Sequence, residues 1–291
     1  MTSRPNDALV VGAKGTLGVA LCHELERRGW RVTALGHADA DIRDEAGLRA
    51  LVGRLKPAAV FNAGAYTDVD RSELEPDLAH DVNARGAECV ARAAAAAGAV
   101  VVHYSTDFVF DGELDRDYVE DDPPSPQGAY ARSKLAGDTF VANAAPRHFI
   151  LRVGCLYGHR GRNFPSSIVQ RLLAGQTVRA DGERLCSPTW VAEVARVSVD
   201  ILGVDQYGLY HCTSQGSTTW ADFAREAARL LRLPERQVEG VPTSALPMKA
   251  PRPRRAVLEN RKLRERGLDT MSPWQKELAA FVERETSADS G

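Results

Sequence analysis

The segment from residue 8 to residue 29 constrains the chain most. Ala8 to Ala13 is an unbroken run of small and branched apolar residues, the composition of a strand buried on both faces. It runs into Gly12-Ala13-Lys14-Gly15-Thr16-Leu17-Gly18, after which Leu17, Leu21 and Leu25 recur at four-residue spacing up to Gly29, marking one face of a helix. A strand, a glycine turn and a helix in this order open a parallel α/β sheet. The glycines also let the backbone approach a pyrophosphate, whose charge then meets the free N–H groups of the helix N-terminus. The spacing is GxxGxxG rather than the commoner GxGxxG, and by itself it equally fits a turn that only closes strand onto helix.

The alternation continues. Arg31 to Leu35 reads as a second strand, Asp44 to Leu55 as a helix, and Ala59 to Ala63 as a third strand bounded by Pro57 and Gly64. Asp68 to Ala97 favours helix with a break near Pro76, and its alanine run, Ala93 to Ala97, suits a helix packed close to the sheet. Val100 to Phe110 supplies a fourth strand, Asp111 to Gln127 a polar, proline-rich loop, Gly128 to Ala144 a helix and Phe149 to Leu156 a fifth strand. Beyond Tyr157 the rhythm loosens around Gly158, Gly161, Gly175 and Gly182. Leu209 to Thr213 reads as a strand returning to the main sheet and Trp220 to Leu233 as an amphipathic helix. Prolines at 242, 247, 251 and 253 precede a last helix near Pro273 to Arg284 and a frayed tail, Glu285 to Gly291. The predicted fold is α/β, a Rossmann-type doubly wound parallel sheet with a smaller C-terminal substrate lobe. The dinucleotide-binding domain is placed at residues 1–152 plus the strand near 208–214, and the lobe at 153–207 and 215–291.

With 44% apolar and 26% charged residues in 291, the chain has the make-up of a globular protein of one or two domains. Its formal charge of −2 provides no field for nucleic acid or an anionic membrane, so a bound anion must be held locally. The five cysteines, at 22, 89, 155, 186 and 212, form no CxxC pair, and their odd number argues against a complete disulfide set. Met1 to Asp7 is polar and the apolar run behind it is too short for a signal segment or a membrane span. The expectation is a cytoplasmic protein without a nucleic-acid or membrane partner.

At the end of the second strand, Gly36-His37 stands where a carboxylate often meets an adenosine ribose, so nothing there repels a 2′-phosphate. Lys14 and His37 would favour one, which points to NADPH with NADH possible; both side chains equally fit a solvated surface. Asp41-Ile42 can hydrogen-bond and pack an adenine, and Ala63-Gly64-Ala65 is small enough to let a dinucleotide cross the sheet edge. With Gly12, Lys14, Gly15, Thr16, Leu17 and Gly18 these complete the candidate cofactor site.

Tyr130 and Lys134 lie four apart on one predicted helix and so share a face, and Ser105-Thr106-Asp107 falls where the fourth strand reaches the same edge of the sheet. Reduction of a carbonyl needs a proton donor for oxygen as hydride reaches carbon, and a phenol of pKa about 10 is sluggish unless a nearby ammonium lowers it. Lys134 would do so and bind the nicotinamide ribose, Thr106 would orient the carbonyl, and Asn83 could complete a proton relay through water. Such a pair also occurs as ordinary surface; its position after a phosphate turn and a Ser-Thr strand raises it above that reading.

These residues resemble the dTDP-4-dehydrorhamnose reductase family of extended short-chain dehydrogenases. The matching segments are GAKGTLG (12–18), KPAAVFNAGAYTDVDRSE (56–73), VVHYSTDFVFDG (101–112), YARSKLAGD (130–138), GRNF (161–164), SPTW (187–190), GLYHCTSQGSTTWADFA (208–224) and VPTSALP followed by RP (241–247, 252–253). The resemblance implies reduction of the 4-keto group of a dTDP-6-deoxyhexulose by the trio Thr106, Tyr130 and Lys134. It also implies a sugar site in the C-terminal lobe, with Ser105, Asp107, Phe108, Cys155, Asn163 and Arg252 on the substrate side. Three departures stand out. Val153-Gly154-Cys155 replaces the family's Thr-Ser-Trp, which removes a large stacking surface; Ala20 replaces an acidic metal ligand of some members; and Gly36 replaces an aspartate. The expectation is therefore a monomer or a homodimer without a metal bridge, with no metal site.

Some features carry a second reading. Arg252 to Arg255 could face a sugar diphosphate or belong to a solvated loop, Trp220 and Phe223 read as core, and Cys155 as an inert buried thiol. A nucleotide-sugar epimerase or dehydratase would share the fold, as would a non-catalytic regulatory subunit resembling the methionine adenosyltransferase beta subunit, against which the retained Thr106, Tyr130 and Lys134 count.

Overall fold

In the computed structural model, which describes residues 6–158 and 163–288, the chain alternates strand and helix as its sequence pattern requires. Strand β1 (Asp7–Val11) leads through the glycine turn into α1 (Thr16–Arg27), whose Leu17, Leu21 and Leu25 are all buried. Strand β2 (Arg31–Leu35) is followed by α2 (Glu45–Leu55), capped by Asp44, whose Oδ1 accepts from Gly47 N at 3.0 Å. After β3 (Ala59–Asn62) come two short helices, α3 (Val69–Ser72) and α4 (Pro76–His80), the second opened by the proline that the sequence marks as a break. A π-helical turn, Asp81–Gly86, joins α4 to α5 (Ala87–Ala96), and the alanine run packs α5 closely against its neighbours. Then follow β4 (Val100–Thr106), α6 (Ala129–Ala144) and β5 (His148–Val153).

After β5 come β6 (Leu156–Tyr157), α7 (Phe164–Leu173), β7 (Val178–Asp181), β8 (Leu185–Cys186) and β9 (Thr189–Trp190) of the lobe, and α8 (Val191–Asp200), which packs against α1 on the main sheet. Strand β10 (Gly208–His211) returns to the main sheet, and α9 (Trp220–Leu230), β11 (Val238–Val241), β12 (Arg255–Ala256), α10 (Arg261–Glu265) and α11 (Trp274–Ala288) finish the lobe. Small parallel pairs β7·β11, β8·β12 and β6·β9 knit it together.

The main sheet runs β10-β5-β4-β3-β1-β2, parallel throughout. Its strands send alternate residues to opposite faces. Ala8 and Val10 face the core under α1 and α8, which continues into the lobe, and Leu9 and Val11 face the core under α2 and α5. Because β2 lies on one side of β1 and β3 on the other, the connections part between β1 and β3, the crevice in which such sheets take ligands.

Three expectations are corrected. Strand β4 stops at Thr106 rather than Phe110, because Phe108 N donates to Thr106 Oγ1 at 3.2 Å and Asp107–Val109 forms a 3₁₀ turn in place of a ladder. Strand β5 stops at Val153, where Gly154 and a left-handed Cys155 (φ 47°) divert the chain before β6. The last helix continues to Ala288, past the expected end at Arg284; the rest of the predicted tail, 289–291, and the first half of the GRNF motif, 161–162, lie outside the described residues.

Helix α6 sits tightly on the π-helical turn. A Cβ added at Gly137 would lie 2.3 Å from the carbonyl oxygen of Asn83. Alanine favours helix by about 1 kcal/mol over glycine, yet overpacking costs about 1–3 kcal/mol and backbone here has nowhere to go. Gly137→Ala is expected to lower stability by about 1–2 kcal/mol, read as a fall in the urea midpoint at unchanged slope; a rise would mean that the helix preference wins.

Candidate active site

The first half of the site is a cleft of about 550 Å³ over the ends of β1, β2 and β3. Gly12 (φ 77°) turns where its Cβ would meet the Ala63 carbonyl carbon at 2.6 Å, and a Cβ on Gly18 would lie 2.1 Å from Gly12 O. Only glycine lets these backbones meet. The N-cap of α1, Gly15, offers no side chain to the helix N–H groups, and no acidic residue stands in its first turn. The floor is thus bare backbone N–H at a helix N-terminus, which fits the pyrophosphate of a dinucleotide.

Of the residues foreseen for the cofactor, Gly12, Lys14, Gly15, His37, Asp41, Ile42, Ala63, Gly64 and Ala65 line this cleft. Gly36, named with His37 at the strand end, lines it too, as do Val11, Ala40, Arg43, Tyr66, Leu78 and Val82, which were not foreseen. Arg43 clasps Asp41 with both ends of its guanidinium, Nη2 to Oδ2 at 2.7 Å and Nε to Oδ1 at 3.0 Å, and this holds the carboxyl down at about 2. The expectation that nothing there opposes a phosphate is corrected by Asp39. Its Oδ2 accepts from Gly36 N at 2.7 Å and lies 3.4 Å from Lys14 Nζ, so the carboxylate absent at the strand end is supplied three residues on by a turn.

The second half, about 510 Å³, shares Gly15, Ala63 and Ala65 with the first and brings Thr16, Leu17 and Gly18 together with Ser105, Thr106, Asp107, Tyr130, Lys134, Cys155 and Asn163. Asn62, Thr67, Tyr104, Val153, Leu156 and Phe164, none of them foreseen as site residues, join them. Helix α6 is aimed by its N-terminus, where Glu73 Oε1 accepts from Ala129 N at 2.6 Å, a cap supplied from outside the helix. Tyr130 follows directly. Thr106 acts on its phenol across the cleft, the Phe108 ring lies edge-on to it at 6.2 Å, and Thr106 Oγ1 donates to Asp107 Oδ1 at 3.0 Å.

Burial dominates the electrostatics. It pushes Tyr130 up to about 12, partly offset by Thr106, and Asp107 up to about 7, offset by its hydrogen bond from Thr106. Lys134 is 2% exposed and burial brings it down to about 8; its Nζ donates to Tyr104 O at 2.5 Å. The expected lowering of the Tyr130 pKa by Lys134 is therefore not found: the ammonium is turned onto a backbone carbonyl, and desolvation of the phenol prevails.

Four other residues are engaged in structural bonds as well. The Asn83 amide bonds both Tyr66 N (2.8 Å) and Tyr66 O (3.0 Å) and donates to Ser133 Oγ (2.9 Å), so it fastens the β3 loop to α6 rather than relaying protons. Ser105, in the cleft lining, donates its Oγ to Asp138 at 2.8 Å. Asn163 caps α7, accepting from Ser166 N at 3.0 Å while donating to Gly158 O at 2.7 Å. Arg252 is neither solvated nor free for a diphosphate. Its guanidinium grips Asp70 at 2.9 and 3.0 Å, and Asp70 Oδ1 also accepts from Lys249 N and Ala250 N, which ties the proline-rich loop to α3. The neighbouring Cys186 and burial raise the Cys155 thiol well above the ordinary range, as an inert thiol requires. Phe223 is fully buried and Trp220 packs edge-on to Phe164 at 5.0 Å.

Among known proteins, the family description RmlD substrate binding domain matches residues 6–287. A dTDP-4-dehydrorhamnose reductase of Streptomyces griseus is 38% identical over 276 residues, covering 93% of this chain and 91% of the relative. A probable dTDP-4,6-dihydroxy-2-methyloxan-3-one 4-ketoreductase of Streptomyces antibioticus is 34% identical over 93% of this chain and 92% of its own. The crystal structure of a dTDP-4-dehydrorhamnose reductase from Bacillus anthracis in complex with NADP superposes with a TM-score of 0.92 at 30% identity, over 97% of this chain and all (100%) of that one.

The displacement of Tyr130 to about 12 makes a direct spectroscopic prediction. The absorbance difference between wild type and Tyr130→Phe is expected to show no phenolate below about pH 10 in dinucleotide-free protein. A phenolate emerging near neutrality would mean that Lys134 already controls the phenol.

Proposed function

Because this chain belongs to the dTDP-4-dehydrorhamnose reductase family, and is accordingly an NAD(P)H-dependent reductase of the 4-keto group of a dTDP-4-keto-6-deoxyhexose, we propose that Tyr130, Thr106 and Lys134 carry its chemistry. The observation that bears the reading is the meeting of Tyr130, Thr106 and Lys134 in the one cleft, with Thr106 opposing the rise that burial imposes on the Tyr130 phenol. Two hydroxyls lining one cleft can both meet one carbonyl oxygen, Thr106 holding it and Tyr130 giving it a proton. With its pKa near 12, Tyr130 carries that proton at neutral pH, the form a general acid needs. Giving it up leaves a phenolate in a buried site, and the Lys134 ammonium, one turn along α6, offsets that charge. The bound nicotinamide supplies hydride to the carbonyl carbon.

NADPH is the preferred cofactor in this reading and NADH is tolerated. Lys14, His37 and Arg43 rim the adenosine end of the cleft, where a 2′-phosphate would compete with Asp39 for Lys14 and with Asp41 for Arg43. Gly12, Gly15, Thr16, Leu17 and Gly18 would hold the pyrophosphate, Ile42 the adenine, and Ala63 to Ala65 the crossing of the sheet edge. Asp107, Phe108, Cys155 and Asn163 border the sugar, while Arg252 acts on it only through the loop it ties to Asp70. Relatives named for different keto sugars leave the identity of the sugar to this border, which differs here through Gly154 and Cys155.

Two outcomes follow. Tyr130→Phe is expected to lower kcat by about a hundredfold or more for NADPH oxidation with dTDP-4-keto-6-deoxysugars, while dinucleotide binding persists; equal rates would remove the role given to Tyr130. Arg43→Ala is expected to raise KM for NADPH by about tenfold, the worth of one charge-assisted hydrogen bond, and to leave NADH almost unchanged, so that parallel losses with both would deny Arg43 a part in discrimination.

A further inference from the structure

Behind Lys134 lies a set of buried charges that the reduction just described does not employ. Asp138 stands one turn beyond Lys134 on α6, on the same face. It is 6% exposed, and Arg152 on β5 is 4% exposed. Asp138 Oδ2 accepts from Ser105 Oγ at 2.8 Å and from Arg152 Nε at 3.4 Å, and its Oδ1 is buried without a hydrogen-bond partner among the described residues. The Arg152 guanidinium lies 5.2 Å from the centre of the Phe110 ring and feels the charge of Glu120, whose Oε1 accepts from His211 N and Lys262 N.

A buried ion pair returns less in attraction than its desolvation costs, so stability alone does not explain this one. Its position does. A lysine sealed in apolar surroundings tends to lose its proton, and a neutral amine could not offset a phenolate. We propose that Asp138, locked by Ser105 and Arg152, is a positioning residue that keeps the Lys134 ammonium charged and in register with Tyr130. The inference rests on the reading of Tyr130 and Lys134 as the reducing pair.

The charges around the pair agree. Burial lowers Lys134, and Asp138 is the charge that opposes the fall. Asp138 is itself pushed up by burial and drawn back by Arg152, Ser105 and Lys134, which is the use of the lock. From β4, His103 is held neutral by burial; from the turn after β4, Asp107 acts on Tyr130; His211 on β10 is likewise held down by burial and by Arg152. On the other side of α6, charges are paired away from Lys134: Asp81 with Arg85, Glu88 with Arg92, and Asp70 with Arg252. His80 of α4 meets α6 at Phe140.

The test reads Lys134 directly. The chain has six lysines, so protein labelled with ¹³C at lysine Cε gives a spectrum in which Lys134 is assigned by its loss in Lys134→Met. A midpoint near 8 is expected in wild type. In Asp138→Asn it should fall by about one pH unit or more, and the alkaline limit of NADPH-dependent reduction should move down with it, because Lys134 then loses its proton at lower pH. Asp138→Glu should restore both. Since Asp138→Asn strands Arg152 in the core, Asp138→Asn/Arg152→Met removes both charges together and should give the same shift. A folded variant of either kind with an unmoved Lys134 midpoint overturns the proposal. Should neither fold, Ser105→Ala, which keeps both charges and removes one bond of the lock, must shift the midpoint in the same direction or the proposal fails. Wild type that reduces no dTDP-keto sugar would instead sink the proposed function, and the Lys134 midpoint would still decide the role of Asp138.

Discussion

The rest of the structure depends on the contact between the β1 turn and the end of β3. Gly12 and the Ala63–Gly64 backbone meet at a distance that admits no side chain, and Gly18 brings the first turn of α1 down onto Gly12 in the same way. That contact closes the floor of the crevice where the sheet connections part. It leaves the N-terminus of α1 open to the same space, so that one stretch of backbone both joins helix to sheet and forms an anion site. The two halves of the cleft share Gly15, Ala63 and Ala65 for this reason. A dinucleotide laid across the sheet edge would pass over those residues and reach Tyr130 with its other end.

At that end, burial and charge oppose each other. The phenol, the ammonium and the Asp107 carboxyl are each shifted toward their neutral form by loss of water, and Thr106 offsets part of the shift for the phenol and the carboxyl, Asp138 for the ammonium. A site built this way keeps its acid protonated until a substrate oxygen arrives and defers the separation of charge to the reaction itself. Dry surroundings then strengthen whatever charge remains nearby.

How much of this the sequence makes legible depends on the range of each interaction. The phosphate turn, the alternating strands and the pair Tyr130 and Lys134 are local patterns, fixed by strand and helix periods, and every residue foreseen for the cofactor lines the cleft. Asp39 and Arg43 escape notice because they belong to the loop after β2, whose path follows from hydrogen bonds to Gly36 and Asp41 rather than from any period. Glu73 as the cap of α6 is farther beyond reach, since it lies 56 residues from the N–H it serves. Arg252 shows the same limit from the other side. A basic residue in a proline-rich loop looks like a ligand for phosphate, and only the fold reveals that Asp70, 182 residues away, already occupies it. The strand ends at Thr106 and Val153 were overrun because apolar composition continues past them, while a side-chain hydrogen bond and a left-handed residue stop the ladder.

Helix α3 and the residue after it give the lobe a mechanical connection to the chemistry. Asp70 holds the loop at residues 249–252, and Glu73, three residues on, holds the first N–H of α6, directly before Tyr130. Tyr66, just before α3, is tied to the α6 side through Asn83 and Ser133 and to Glu75 by its hydroxyl at 2.6 Å. The segment from 66 to 75 therefore meets the β3 loop, the proline-rich loop of the lobe and the catalytic helix through separate hydrogen bonds. A displacement of the proline-rich loop cannot leave Asp70 in place without breaking its four bonds, and a displaced α3 carries Glu73 with it. The geometry of Tyr130 is in this way set partly by the lobe, although α6 itself makes its main contacts within the sheet domain.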